Sequence, residues 1–245
     1  MDDSLAIRDY LPHSFKNKND GEYIAFLWDA FESNYQNGKY QFAMLAYHML
    51  YMSFVYFSIW QIKLSRPDDY KKAAVFLANR KLAENDLLAA SSPFTLSKLE
   101  ERTIFRLLRL TGCESADVKP FAQLVDERNE IAHSNGNIYY SDRIAADRKI
   151  AEFLRHMDAI QTHIRPVLHE CFSKFLCDSH DPERRQYLDD AEQIREALIH
   201  ENYFSQKDIE ACLGFDINTL ADKAAFPSIK VLFDAFVDTY KLETA

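Results

Sequence analysis

From Phe42 to Ile62 the chain runs without an Asp, Glu, Lys or Arg. Nothing else in the sequence restricts the fold as much. About 20 apolar residues suffice to span a bilayer, so a membrane helix has to be weighed first. Against it, His48, Ser53, Ser58 and Gln61 interrupt the run, and Tyr47, Tyr51 and Tyr56 occupy its middle. Membrane-spanning helices place their aromatic residues at the two interfaces instead. The pattern fits a helix buried on most sides, at the centre of a bundle or shared with a second copy of the chain. No membrane association is expected.

The flanking sequence also reads as helical. Glycine is scarce, with 5 residues in 245, and hairpins and tight βα turns consume glycine to reach positive φ. Tyr23, Phe26, Leu27 and Phe31 recur at helical spacing between Gly21 and Tyr35, and Asn37-Gly38 stops that helix. The long apolar helix occupies Lys39 to Leu64. Pro67-Asp68-Asp69 restarts the chain, and a helix is expected from Asp69 to about Leu88. Further helices are expected over Thr95–Leu110, from Pro120 to about His133, and from Ser141 to Leu176, the last with a possible kink at Pro166. Ser134-Asn135-Gly136 ends the Pro120 helix. The closing segment has helical patterns near Pro182–His200, Gln206–Leu213 and Pro227–Leu242.

Charge is unevenly spread. The formal net charge is −9, and from Asp178 onward acidic residues outnumber basic ones 15 to 7. The acidity therefore lies in the tail, and a local basic surface is open to the first part of the chain. The tail's Ser205–Leu220 loosely matches a helix-turn-helix, but its charge is wrong for DNA, so DNA is not an expected partner. Cys113, Cys171, Cys177 and Cys212 include no CxxC pair, so no zinc ribbon is expected. The polar opening and unpaired thiols fit a reducing cytoplasm.

Chemistry concentrates in Leu124-Val125-Asp126-Glu127-Arg128-Asn129-Glu130-Ile131-Ala132-His133. Phe121, Leu124, Val125, Arg128, Ile131 and Ala132 follow the i, i+3, i+4 pattern, which puts Arg128 within an apolar stripe. A buried guanidinium needs a carboxylate or a wet cleft. Asn129 and His133 are four apart and share one flank. Two readings follow. Arg128 is a core arginine paired from another helix and His133 a cation at the helix C-terminus, or the two residues face substrate.

Arg-Asn-Glu-Ile-Ala-His resembles the R-x4-H motif of the HEPN superfamily, in the form with a polar residue after the Arg. That family carries the motif at the end of a helix in an up-and-down bundle, before a turn and another long helix. The resemblance covers roughly residues 21–177. It implies an all-α, up-and-down HEPN-type bundle over residues 1–177, with residues 178–245 as an acidic helical extension. It also implies a homodimer in which two Arg–His pairs face one cleft and cut RNA without a metal or other cofactor. His133 would move the proton, Arg128 would hold the scissile phosphate and stabilise its added charge, and Asn129 would orient one of them. A toxin or antiviral-defence role is part of the same implication. Some toxins of that family carry a Tyr two positions after the His, which a partner enzyme modifies. Asn135 stands there in this chain, so control by that route is not implied.

Arg102, Arg106 and Arg109 lie at i, i+4, i+7 and form either a phosphate-contacting RNA stripe or an ordinary solvated face, with Glu100 and Glu101 nearby. Lys71, Lys72, Arg80 and Lys81 are equally ambiguous. Glu152, His156 and His163 share one side of the last long helix. They fall short of a ligand set, so they read as a solvated stripe and no metal site is expected. His48 either sits in the core or lines the cleft. The rival to an endoribonuclease is a non-catalytic scaffold of the same build, which would bind nucleotide, RNA or a partner protein. In either case the acidic tail would serve as a cover for the cleft or as a docking surface for a regulatory protein.

Overall fold

The computed structural model describes residues 5–78, 82–133 and 135–241. Among these the protein is all-helical and no strand occurs, in keeping with the glycine-poor sequence. Arg80, Lys81 and Ser134 lie outside the described residues.

Helix α1 (Lys18–Gln36) is opened by the Asn17 side chain, which accepts from Asn19 N–H, and the chain leaves it through Gly38 at φ +71°. Helix α2 (Tyr40–Ser65) is the charge-poor run. It is long and apolar enough to cross a membrane by length and composition, yet most of its apolar stretch is buried inside the protein. From Leu50 to Ile62 every residue is buried. The apolar excess that the sequence offered to a second copy of the chain is largely used up within one chain.

Three elements supply most of that cover. Helix α1 lies along one side of α2. Helix α3 (Pro67–Leu77) turns back at its end. On the other side lies α7 (Arg143–Ser179), which runs through Pro166. Aromatic edges knit the layers together. Tyr47 of α2 meets Phe31 of α1 at 4.9 Å and Phe153 of α7 at 5.4 Å, while Tyr51 meets Phe153 at 5.2 Å. Such pairs add about 0.5–1.5 kcal/mol each beyond area burial.

Two expected helices are broken. The Asp69–Leu88 helix ends at Leu77, where Ala78 turns extended, and resumes as α4 (Glu84–Leu88). The Thr95–Leu110 helix becomes a 3-10 turn (Pro93–Lys98), the short α5 (Glu101–Phe105) and a second 3-10 turn (Arg106–Thr111). Ile104 and Leu107, like Phe105 and Leu108, are buried pairs three residues apart. These four positions make the i, i+1, i+3, i+4 face of an ordinary helix, and the backbone nonetheless tightens to 3-10 turns from Arg106 onward. Gly112, at φ +89°, ends the segment in the left-handed region that favours glycine. Helix α6 (Ser115–Ala132) follows and contacts α2 and α5.

After α7 come α8 (Asp190–Gln193), a π-helical turn (Ile194–His200), α9 (Gln206–Leu213) and α10 (Phe226–Tyr240). This tail does not sit outside the core. Tyr203, Phe204, Ile209 and Cys212 are fully buried in one hydrophobic cluster with α2 and α7. At its centre the buried Asp208 accepts from Gln61 Nε2 of α2 at 2.8 Å and Gln161 Nε2 of α7 at 2.7 Å. It also accepts the Ser205 N–H at 2.9 Å, and Ser205 Oγ accepts the Asp208 N–H at 3.2 Å. The amino-terminal turn joins the same knot, since His13 N–H donates to Phe204 O at 3.0 Å.

Replacing Asp208 by Ala strands two buried amides. Each unmade buried bond costs about 1–3 kcal/mol, so Asp208→Ala should lower unfolding free energy by about 2–5 kcal/mol. Urea denaturation followed by circular dichroism measures it. A change within about 0.5 kcal/mol would mean that the tail is not anchored through this carboxylate.

Candidate functional site

Helix α6 starts with a one-sided cap, in which Asp117 Oδ2 accepts the Glu114 N–H at 3.0 Å. Phe121, Leu124 and Val125 then bury one stripe of the helix, and Arg128 continues that stripe. Its guanidinium meets Glu101 from the first turn of α5, with Nη2 at 2.6 Å from Oε1. The other Glu101 oxygen lies 3.2 Å from Nε2 of His48 on α2. One carboxylate therefore ties three helices. His48 is 2% exposed, whereas the Arg128 side chain keeps 30% of its surface. Arg128 Nε is buried without a hydrogen-bond partner.

The protonation states follow from this packing. Burial holds the His48 imidazole below its ordinary pKa, and the Glu101 hydrogen bond does not reverse that. The neutral ring fits the geometry, because Nδ1 is buried with no partner and a second N–H there would be stranded. Burial opposes the charge on Glu101, but the hydrogen bonds from His48 and Arg128 outweigh it and hold the carboxyl below its usual range. Arg128 is the charge partner and His48 a neutral donor.

Lys149 of α7, also buried, is ion-paired to Glu127 and to Glu152, the latter at 3.0 Å. Glu152 in turn reaches His156, which stands edge-on to Phe121 at 5.6 Å. A seam of charge thus runs between α5, α6 and α7. Neither Lys149 nor Glu127 stood out in the sequence. Their spacing on separate helices carries no local pattern, and only the apolar neighbours of Lys149 hinted at its burial. Beside Glu101 a pocket of about 450 Å³ opens, lined by Asp20, Tyr23, Tyr56 and Phe94 among others.

His133 caps α6. Its N–H donates to Asn129 O at 3.2 Å, its backbone turns extended, and its side chain is exposed. Among the described residues no hydrogen bond joins His133 to Arg128. Five residues along a helix amount to about 140° of rotation, so Arg128 faces inward while His133 faces solvent. Asn129, part exposed, shares the flank of His133. The turn beyond is held by Asn135 Nδ2, which donates to Glu130 O at 2.9 Å, and by Tyr139 N–H, which donates to Gln41 Oε1 at 3.0 Å.

Arg102, Arg106 and Arg109 do come together. With Ser115 and Lys119 they line a groove of about 590 Å³ between α5, its 3-10 extension and α6. Arg102 is held by Asp126. Among the described residues no ion pair engages Arg106, Arg109 or Lys119. At the other face of α6, Cys113, Asp117 and His163 bring a sulfur, a carboxylate oxygen and a ring nitrogen within 4.8 Å of one another. The expected solvated stripe of Glu152, His156 and His163 is thus partly engaged instead.

Comparison with family models, curated proteins and solved structures finds no match to this chain.

The His48–Glu101–Arg128 tie generates a pH signature. A histidine held below its unfolded pKa takes up a proton on unfolding, so stability falls as pH drops below about 6.5 and levels off beneath the folded value. Glu101 has the depressed carboxylate's sign. Its contribution is complete above the unfolded pKa of about 4.3 and is lost as pH falls through the folded pKa. Melting curves from pH 7.5 to 5.5 should show a decline that is shallower in His48→Gln. Equal slopes in the two proteins would mean that His48 is protonated in the fold. Glu101→Gln should cost on the order of 2–4 kcal/mol, short of a fully buried pair because the rim is wet.

Proposed function

We propose that this chain is a HEPN-like endoribonuclease of the toxin or defence kind, which acts as a homodimer and cuts RNA without a metal. The observation that carries the reading is the layout of α6. A cationic groove of Arg106, Arg109 and Lys119 lies along its first half. Arg128, fixed by Glu101 yet open at its rim, lies further on, and the exposed His133 ends the helix. An RNA backbone laid along the helix meets phosphate contacts first and a titratable imidazole last.

In this mechanism a 2′-hydroxyl attacks the adjacent phosphorus. His133 takes its proton as general base, and the second protomer's copy of the same residue protonates the leaving 5′-oxygen. Within one protomer Arg128 and His133 point about 140° apart, so it is across the dimer cleft that Arg128 stabilises the equatorial charge of the phosphorane, with Glu101 and His48 setting its orientation. Asn129, on the flank of His133, orients the imidazole. The internal hydroxyl is the nucleophile, so no step requires a metal. Support for a dimer at this end of the molecule comes from Phe42 and Ile138, which are 61% and 76% exposed. The Tyr139–Gln41 hydrogen bond holds their segments together beside the His133 turn.

A second reading rests on the Arg128–Glu101 bond itself. An arginine already neutralised by a half-buried carboxylate serves a scaffold that binds RNA through the groove and does not cut it. Cleavage of labelled RNA separates the two. His133→Ala should lower the rate by about a hundred- to ten-thousand-fold with the fold intact. Arg128→Ala should abolish cleavage and also weaken binding. Cleavage should survive EDTA, leave a 2′,3′-cyclic phosphate, and fail on RNA methylated at the 2′-oxygen. Full activity in His133→Ala would put the chemistry elsewhere, and salt-sensitive binding without any cleavage would establish the scaffold.

A further inference from the structure

The sequence of turns before α6 brings three unlike ligands to one point. Gly112, in the left-handed region, reverses the chain after the 3-10 turn and leaves Cys113 buried at the mouth of α6. The α6 cap fixes Asp117 four residues on, with Oδ2 holding the Glu114 N–H and Oδ1 not engaged in the cap. From the middle of α7, His163 projects to the same place. The three donor atoms lie within 4.8 Å of one another. We propose that Cys113, Asp117 and His163 form a binding site for a divalent transition metal of the zinc class, which clamps the start of α6 to α7.

The donor chemistry selects the ion. Thiolate, imidazole and carboxylate together suit zinc or cobalt, whereas magnesium and calcium take oxygen donors only. In a tetrahedral zinc site donors sit roughly 3.5 Å apart. With every donor pair within 4.8 Å, the cluster has to contract by no more than about an ångström, within reach of side-chain rotation. Charge also balances, since one thiolate and one carboxylate neutralise a dication. They outweigh the partial positive charge at the start of α6, about half an elementary charge. Cys113 gives up its thiol proton to solvent as the sulfur–metal bond forms.

The fourth position is left to water or an incoming ligand. Asp117 and His163 also line a pocket of about 430 Å³ that opens to solvent, with Glu152, Arg155 and His156 further along its wall. His156 is no fourth ligand. It is seven residues before His163 on the same helix, about 10 Å away by helical rise. Three protein ligands with one open position are what zinc sites of non-structural type have. The site does not depend on the proposed nuclease chemistry. It lies about 24 Å along α6 from His133 by helical rise, and no cleavage step passes through it.

Titrating the full-length, chelator-treated protein with Co²⁺ tests the assignment. One equivalent should bind and give a thiolate-to-cobalt charge-transfer band in the near ultraviolet. Zn²⁺ should displace the cobalt. Cys113→Ser should remove the band, while Cys177→Ser keeps it. His163→Gln and Asp117→Asn, which change part-exposed or exposed side chains and spare the fold, should each weaken affinity at least tenfold. Added Zn²⁺ should raise the melting temperature of the wild type and leave that of His163→Gln unchanged. A saturating titration with no charge-transfer band would overturn the site. So would a band that survives in Cys113→Ser, or an affinity indifferent to both His163→Gln and Asp117→Asn. If Cys113→Ser fails to fold, the other two variants decide.

Discussion

Helix α2 has almost no solvent face, so its cover has to come from all round it. A half-exposed helix tolerates a loose neighbour on its polar side, but this one does not. That single demand explains why α1, α5, α6, α7 and the tail all converge on it. Burying apolar surface is worth roughly 25 cal/mol per Å², and a side left open would forfeit that along its whole length. The aromatic contacts of Tyr47 and Tyr51 with α1 and α7 then fix the sides against one another.

The same demand creates a problem with charge. His48 lies on the helix and is sealed in, and α6 brings Arg128 to its side. A cation there without a partner would be costly. Glu101 resolves this by accepting from both groups, at the expense of its own desolvation. A charged tie of this kind contributes less to net stability than an apolar packing of equal size. It does fix one register between three helices, which an apolar contact would not. The register matters because α6 carries both the cationic groove and the exposed His133.

Much of this could be read from residue order alone. The helical class, the burial of most of the Phe42–Ile62 run and the span of α9 follow from apolar period, whereas α1 begins at Lys18, three residues before the Gly21 start that the period indicates, because Asn17 caps it. The apolar stripe that turns Arg128 inward was also legible, but the choice between a carboxylate partner and a wet cleft was not, and Glu101 meets it while part of the guanidinium stays exposed. Four further features were not legible. The 3-10 turn at Arg106–Thr111 arises from packing, which overrides helix propensity. The burial of Lys149 and the meeting of His163 with Cys113 are set by contacts between distant helices, and no local spacing encodes them. The tail's composition pointed to an outer extension, because acidity averaged over a segment hides a few inward residues such as Phe204 and Asp208.

The stitch between the two ends of the chain bears on how the protein comes into being. His13 meets Phe204, and Gln61 meets Asp208, across most of the polypeptide. On a ribosome, α1 and α2 emerge well before the groups that close over the second half of α2, since Asp208 follows Gln61 by 147 positions. Until then the most apolar segment of the protein stays partly uncovered and open to chaperones or to other nascent chains. Contacts of such long sequence separation also delay closure of the core. The arrangement keeps the second half of α2 waiting for partners made 147 positions later, so the core cannot close helix by helix as the chain emerges.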